Sequence, residues 1–291
     1  MMVVIEIKDL KKYYGNKRGL ESASLLVNQG EIYGFIGPNG AGKTTLIRIL
    51  MGLLPKDSGT ANLLGIEASM INTDIQKRIG YMPSEAAFFA EYKVSELIQF
   101  YANIRKPNQQ YVEKLIQTLD IDTEKTFQAL SFGNKKKIGI LIALMHEPEL
   151  LILDEPTTGL DPLIQKQFLE LLLELKKSGK TIFLSSHVLS DIQKVCDRVG
   201  LIKNGKVILE NDMHLLKKEE HKVVECTPTI DIQIEGMHDY VETQQGCSFK
   251  YRGQIQPLLQ ALSMKSLKDV VIRDVSLEEI FLSYYEGEHH V

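Results

Sequence analysis

No run in the 291 residues approaches the roughly 20 consecutive apolar residues that a membrane-spanning helix needs. The best, Ile138 to Met145, is eight residues long, so if this protein works at a membrane another chain crosses it. Cysteine is scarce. Cys196, Cys226 and Cys247 are odd in number and far apart, without the paired spacing of a zinc site or a disulfide framework, and are expected reduced in a cytoplasmic protein. A basic excess is also missing: 34 Lys and Arg against 38 Asp and Glu give a net charge of -4, which argues against a nucleic-acid partner. Internal repeats are not evident, which excludes a tandem duplication. The opening MMVVIEIKDLKK alternates apolar and polar residues and reads as a strand rather than a signal peptide.

What is present is an ordinary globular composition, 44% hydrophobic and 25% charged, in a chain long enough for one large domain and a smaller one. Strand-like and helix-like runs alternate to about residue 209, predicting an α/β domain with largely parallel strands over residues 1 to 210. Helical patterns either side of Pro107 predict a helical insertion over about residues 90 to 140. Asn204-Gly205 between two apolar runs predicts a hairpin. Residues 211 to 291 carry strand-like KVVECT, IDIQIE and DVVIRDV, with helical patterns near 254 to 264 and 276 to 286, and predict a small α+β accessory domain. Ser276 and Glu279 are spaced as a capping box opening the last helix.

The segment Gly37, Pro38, Asn39, Gly40, Ala41, Gly42, Lys43, Thr44 follows a buried-strand candidate, Glu31 to Ile36, and precedes a helical pattern that includes Thr45. It fits G-x-x-x-x-G-K-[ST], in which glycines let backbone N-H groups and the helix start surround phosphate oxygens. Lys43 would bridge the β- and γ-phosphates of ATP, and the Thr44 hydroxyl would ligate Mg²⁺. A second apolar strand, LLILDEP, ends in Asp154, a candidate Mg²⁺ ligand, and Glu155, a candidate base for the attacking water.

These residues resemble those of the ATP-binding cassette family, which implies a P-loop ATPase core with a helical subdomain. Leu130-Ser131-Phe132-Gly133-Asn134 stands where that family has its LSGGQ signature, implying that Ser131, Gly133 and Asn134 contact ATP held by a second ATPase subunit. Thr158 to Asp161 resembles the family's D-loop, and His187 resembles its switch histidine. Tyr14 is similar to the aromatic that stacks on adenine, with Tyr13 as the local competitor.

Departures from the pattern are specific. Ser84, with Glu85 beside it, stands where the family has a glutamine near Mg²⁺, so water or Glu85 would have to make up the missing reach. Phe132 replaces the first signature glycine, and Asn134 replaces glutamine. The run Lys135-Lys136-Lys137 is expected to form a solvated face. In outline and in the tail SLEEIFLSYYEG the chain resembles ATPase subunits of bacterial drug and antimicrobial-peptide exporters. That implies a peripheral protein at the cytoplasmic face of the membrane, a separate transmembrane permease, and a homodimer or related heterodimer of ATPase subunits. A soluble cassette ATPase in macromolecular or iron-sulfur assembly and a non-hydrolysing regulatory cassette are the alternative readings.

Overall fold

The computed structural model describes residues 2–70, 73–218 and 221–286, in two compact units, Met1–Asp212 and Met213–Val291. In the first unit, strands β1 (Val3–Tyr14), β2 (Lys17–Asn28) and β3 (Ile32–Ile36) lead into helix α1 (Lys43–Leu50). Strands β4 (Ser58–Leu63) and β5 (Ile66–Glu67), helix α2 (Thr73–Arg78) and strand β6 (Ile79–Met82) follow. Helices α3 (Val94–Arg105), α4 (Gln109–Thr118) and α5 (Phe132–Leu144) precede β7 (Leu150–Asp154), α6 (Pro162–Lys177), β8 (Thr181–Ser186) and α7 (Leu189–Val195). The unit closes with β9 (Arg198–Lys203) and β10 (Lys206–Asp212).

Among the described residues its sheet has ten strands in the order β5-β4-β1-β2-β10-β9-β3-β8-β7-β6. The run β9-β3-β8-β7-β6 is parallel. The expectation of largely parallel strands fails at the other end, where β1, β2, β4 and β5 pair antiparallel. The reason is local: β1 passes to β2 through Gly15 at φ 60, a turn far too short for the crossover that parallel pairing demands.

Every residue of β3, β7 and β8 is buried, as expected for strands covered on both faces. Phe183 stacks on Tyr33 at 5.7 Å and tilts against Phe35 at 5.6 Å, which ties β8 to β3. On α1, Leu46, Ile47 and Leu50 turn inward, each stabilising the fold by about 1.5–3 kcal/mol. Gly34 lets α7 approach β3, because a Cβ there would lie 2.9 Å from both Cys196 Sγ and Ile192 Cγ2. Asp161 caps α6 by accepting from the Ile164 N-H at 3.0 Å, with Pro162 in the first turn. Asn204 and Gly205 sit at φ 52 and 74, making the expected tight turn between β9 and β10.

The second unit holds α8 (Met213–Lys218), β11 (His221–Thr227), β12 (Met237–Glu242), β13 (Cys247–Arg252), α9 (Ile255–Ser263), β14 (Asp269–Asp274) and α10 (Leu277–Glu286). Its described sheet is antiparallel, in the order β12-β13-β11-β14. Leu258 and Leu262 of α9 pack with Val224 and Phe249 in its core. The segment IDIQIE is not a strand: Ile230 and Ile232 alternate because they are buried in this core, while the backbone joins no ladder. Cys226 and Cys247 lie opposite each other on β11 and β13 as free thiols, and burial pushes Cys226 up to about 11. No described helix is long and apolar enough to cross a membrane.

Candidate functional site

Strands β3, β8 and β7 are adjacent and parallel, so the segments leaving their C-terminal ends converge at one edge of the sheet. From β3 comes the loop Gly37 to Gly42. Its glycines are required by space and angle: Gly40 and Gly42 sit at φ 79 and 115, and a Cβ on Gly37 would lie 2.5 Å from Ile202 O. Gly42 stands at the N-cap of α1, which leaves the helix start to backbone N-H groups. Lys43 is 6% exposed and donates to Gly37 O at 2.5 Å and Pro38 O at 3.3 Å.

Strand β7 delivers Asp154, which is fully buried. Its Oδ2 accepts from Thr44 Oγ1 at 2.8 Å, and its Oδ1 accepts from Ser185 Oγ at 2.5 Å. Glu155 follows at φ 51, a left-handed backbone that costs a residue with a side chain about 1–3 kcal/mol. Its N-H is held by Ser185, through the carbonyl oxygen at 3.2 Å and Oγ at 3.1 Å. This sharp turn aims the carboxylate at the loop. Oε1 lies 3.1 Å from Lys43 Nζ, a charge contact rather than an aligned hydrogen bond. Oε2 lies 2.7 Å from His187 Nδ1 and accepts from Thr158 Oγ1 at 3.3 Å. Burial pushes the Glu155 carboxyl up, but the charge of Lys43 and the hydrogen bond of His187 outweigh it, and the net direction is down. The carboxylate is therefore ionised at neutral pH, as a base must be.

Around this edge is a cavity of ≈ 320 Å³ lined by Tyr14, Arg18, Gly19, Pro38, Asn39, Gly40, Gly42, Lys43, Thr44, Thr45, Ser84 and Glu155. Tyr14 reaches it with its hydroxyl 3.4 Å from Thr45 Oγ1. Tyr13 is outside that lining, and its backbone N-H is engaged by Asp57 Oδ2 at 2.6 Å. Ser84 faces the cavity, whereas Glu85 is exposed and outside the lining.

The cavity lining also excludes Ser131, Gly133 and Asn134. Ser131 caps α5, its Oγ accepting from the Asn134 N-H at 3.3 Å. Gly133 packs against the D-loop segment so closely that a Cβ would lie 2.3 Å from Gly159 O.

The solvated lysine face is corrected by the structure: Lys136 and Lys137 are 2% and 6% exposed. Helix α5 is enclosed on most sides, and the two ammonium groups find carbonyl acceptors, Lys136 at Glu155 O and Lys137 at Asp120 O. Sequence reasoning also passed over Ser185 and Arg18. The only signal for Ser185 was a serine pair interrupting the apolar strand TIFLSS where it emerges.

A family model described as ABC transporter matches residues 20–158. The bacitracin transport ATP-binding protein BcrA of Bacillus licheniformis is 35% identical over 305 residues, spanning 99% of each chain. The chain belongs to the ABC transporter ATP-binding family. It is an ATP-binding ATPase cassette. The Nod factor export ATP-binding protein I of Ralstonia nicotianae is 31% identical, over 96% of this chain and 92% of its own. A solved ATP-binding subunit of an ABC transporter superposes with a TM-score of 0.67 at 28% identity, covering 74% of this chain and 92% of that chain.

Proposed function

We propose that the chain is the ATP-hydrolysing subunit of an exporter for peptide antibiotics, drugs or other amphipathic molecules. It works at the cytoplasmic face of the membrane against a separate permease. The supporting observation is the end-to-end likeness to BcrA, which includes the accessory residues 211 to 291 and not the cassette alone.

In this reading Tyr14 stacks on adenine and Arg18 faces the phosphates from the cavity wall. Backbone N-H groups of the stretch from Asn39 to Thr45 solvate the β- and γ-phosphates, and Lys43 turns to them from its loop carbonyls. The Thr44 hydroxyl and the Asp154 carboxylate are hard oxygen donors 2.8 Å apart, a set that fits Mg²⁺ shared with phosphate, and Ser84 lines the same cavity as Thr44. Bound there, Mg²⁺ would offset phosphate charge. Glu155 takes the proton of the attacking water, and His187 holds the Glu155 carboxylate and contacts the γ-phosphate.

Ser131, Gly133 and Asn134 serve the ATP of a second ATPase subunit, identical or related, and the two close face to face over two nucleotides. ATP favours that closed dimer only through its preference for it, and hydrolysis ends that preference. The opening is passed to the permease by the helical segment at about residues 90 to 140.

Purification in mild detergent from cells that also carry the neighbouring genes tests the partnership. Co-isolation with a multi-span membrane protein, and ATP turnover that rises with an amphipathic peptide substrate, are expected. A soluble complex lacking any membrane chain would contradict the proposal.

A further inference from the structure

Lys136 is the middle member of a charge run, yet it is 2% exposed and its ammonium donates to the backbone oxygen of Glu155. The Phe132 ring lies beside it, with Nζ 5.7 Å from the ring centroid. Burial pushes the Lys136 ammonium below its usual range, against the pull of Glu155, Asp154 and Glu85. A buried cation persists only where its partners are fixed, so this lysine and the Glu155 peptide hold each other in place.

Glu155 is the residue that needs holding. Its backbone is left-handed at φ 51, and its N-H is fixed by Ser185. The carbonyl side of the same residue is fixed by Lys136. Release of either end lets the backbone relax toward a commoner conformation and swings the carboxylate away from Lys43 and His187.

We propose that Lys136 is a positioning residue for hydrolysis: it clamps the strained Glu155 backbone so that the carboxylate faces the γ-phosphate side of the cleft. The inference rests on the reading of Glu155 as the base. It also links two surfaces within one subunit. Phe132 touches Lys136 and packs on the D-loop segment, where a Cβ on Gly159 would lie 2.5 Å from the ring. Movement of the Ser131 region therefore reaches the chain's own Glu155 through the N-terminal part of α5.

The test uses the full-length chain as wild type, Lys136→Met, Glu155→Gln and the double variant, with ATP turnover, ATP KM and thermal melting measured for each. Lys136→Met is expected to lower kcat roughly 100-fold, the penalty of a displaced catalytic group, with KM within about twofold of wild type. The double variant is expected to turn over no more slowly than Glu155→Gln, because both changes act through one carboxylate. Lys136→Arg, which keeps a charged donor, is expected to recover most of the loss. A Lys136→Met kcat within about threefold of wild type, or effects that multiply in the double variant, would overturn the clamp. If Lys136→Met does not fold, Lys136→Gln serves: its amide stops one atom short, so the same fall in kcat is expected and a wild-type kcat overturns the proposal. Undiminished turnover by Glu155→Gln alone would instead sink the reading of Glu155 as the base.

Discussion

His187 Nδ1 lies 2.7 Å from Glu155 Oε2, which joins the end of β8 to the end of β7 through a single carboxylate oxygen. The backbone N-H of His187 reaches the same oxygen at 3.4 Å. A carboxylate held this way has few orientations left, although His187 itself is outside the cavity lining. Replacing the ring removes the orientation without removing the proposed base. His187→Ala is therefore expected to lower kcat about 100-fold while KM for ATP stays within about threefold, read by steady-state phosphate release.

Tyr14 and Tyr13 differ in what they face. Tyr14 lines the phosphate-loop cavity, and Tyr13 does not. An aromatic pair contributes about 0.5–1.5 kcal/mol beyond burial, so Tyr14→Ala should raise the ATP dissociation constant by up to about tenfold. Tyr14→Phe should bind as wild type, and Tyr13→Ala should shift affinity less than about twofold. A fluorescent ATP analogue in equilibrium titration separates these outcomes; a larger effect at Tyr13 would reverse the assignment.

Ser185 donates to buried Asp154 and also accepts from the Glu155 N-H. Its replacement by alanine leaves an oxygen of a fully buried carboxylate without that donor, at a cost of about 1–3 kcal/mol. Ser185→Ala should lower the melting temperature and also reduce turnover, since both acidic residues lose a constraint. An unchanged melting temperature would show that water takes over the bond.

In the second unit Arg273 grips Glu279 through two hydrogen bonds of 2.8 and 2.9 Å, while Ser276 N-H donates to Glu279 Oε2 at 2.7 Å. The Arg273 bonds lead, burial opposes, the Ser276 cap adds, and the Glu279 carboxyl falls from 4.5 to about 2. The folded value lies below the unfolded one, so this stabilisation is complete above about pH 4.5 and disappears as pH falls toward 2. Thermal melting of the full chain should show wild type above Glu279→Gln at neutral pH, with the gap closing on acidification below about pH 4.5. Arg273 is 40% exposed, so salt should narrow the gap as well. A gap independent of pH would rule out the charge as its source.

How much the sequence disclosed depended on the range of the signal. Gly37 to Thr44, the Asp154-Glu155 pair, the Asn204-Gly205 turn and the Ser276/Glu279 capping box are local patterns, and the structure shows the geometry their spacing implies. The antiparallel end of the large sheet was not legible, because strand direction depends on partners distant in sequence. IDIQIE misled because alternation reports burial, and burial does not require a ladder. Lys136 misled for the converse reason: its acceptor is the carbonyl of Glu155, nineteen residues away and invisible to helical periodicity.

Glu155 as the base of an ATP site completed by a second subunit is the assignment on which the proposed function depends. It is tested most directly by comparing wild type with Glu155→Gln for ATP turnover and, by light scattering, for subunit association in Mg²⁺ and ATP. Turnover at least about 100-fold lower is expected for the variant, with a dimer that persists only while ATP is bound. Equal turnover, or a variant that stays monomeric at saturating ATP, would contradict it.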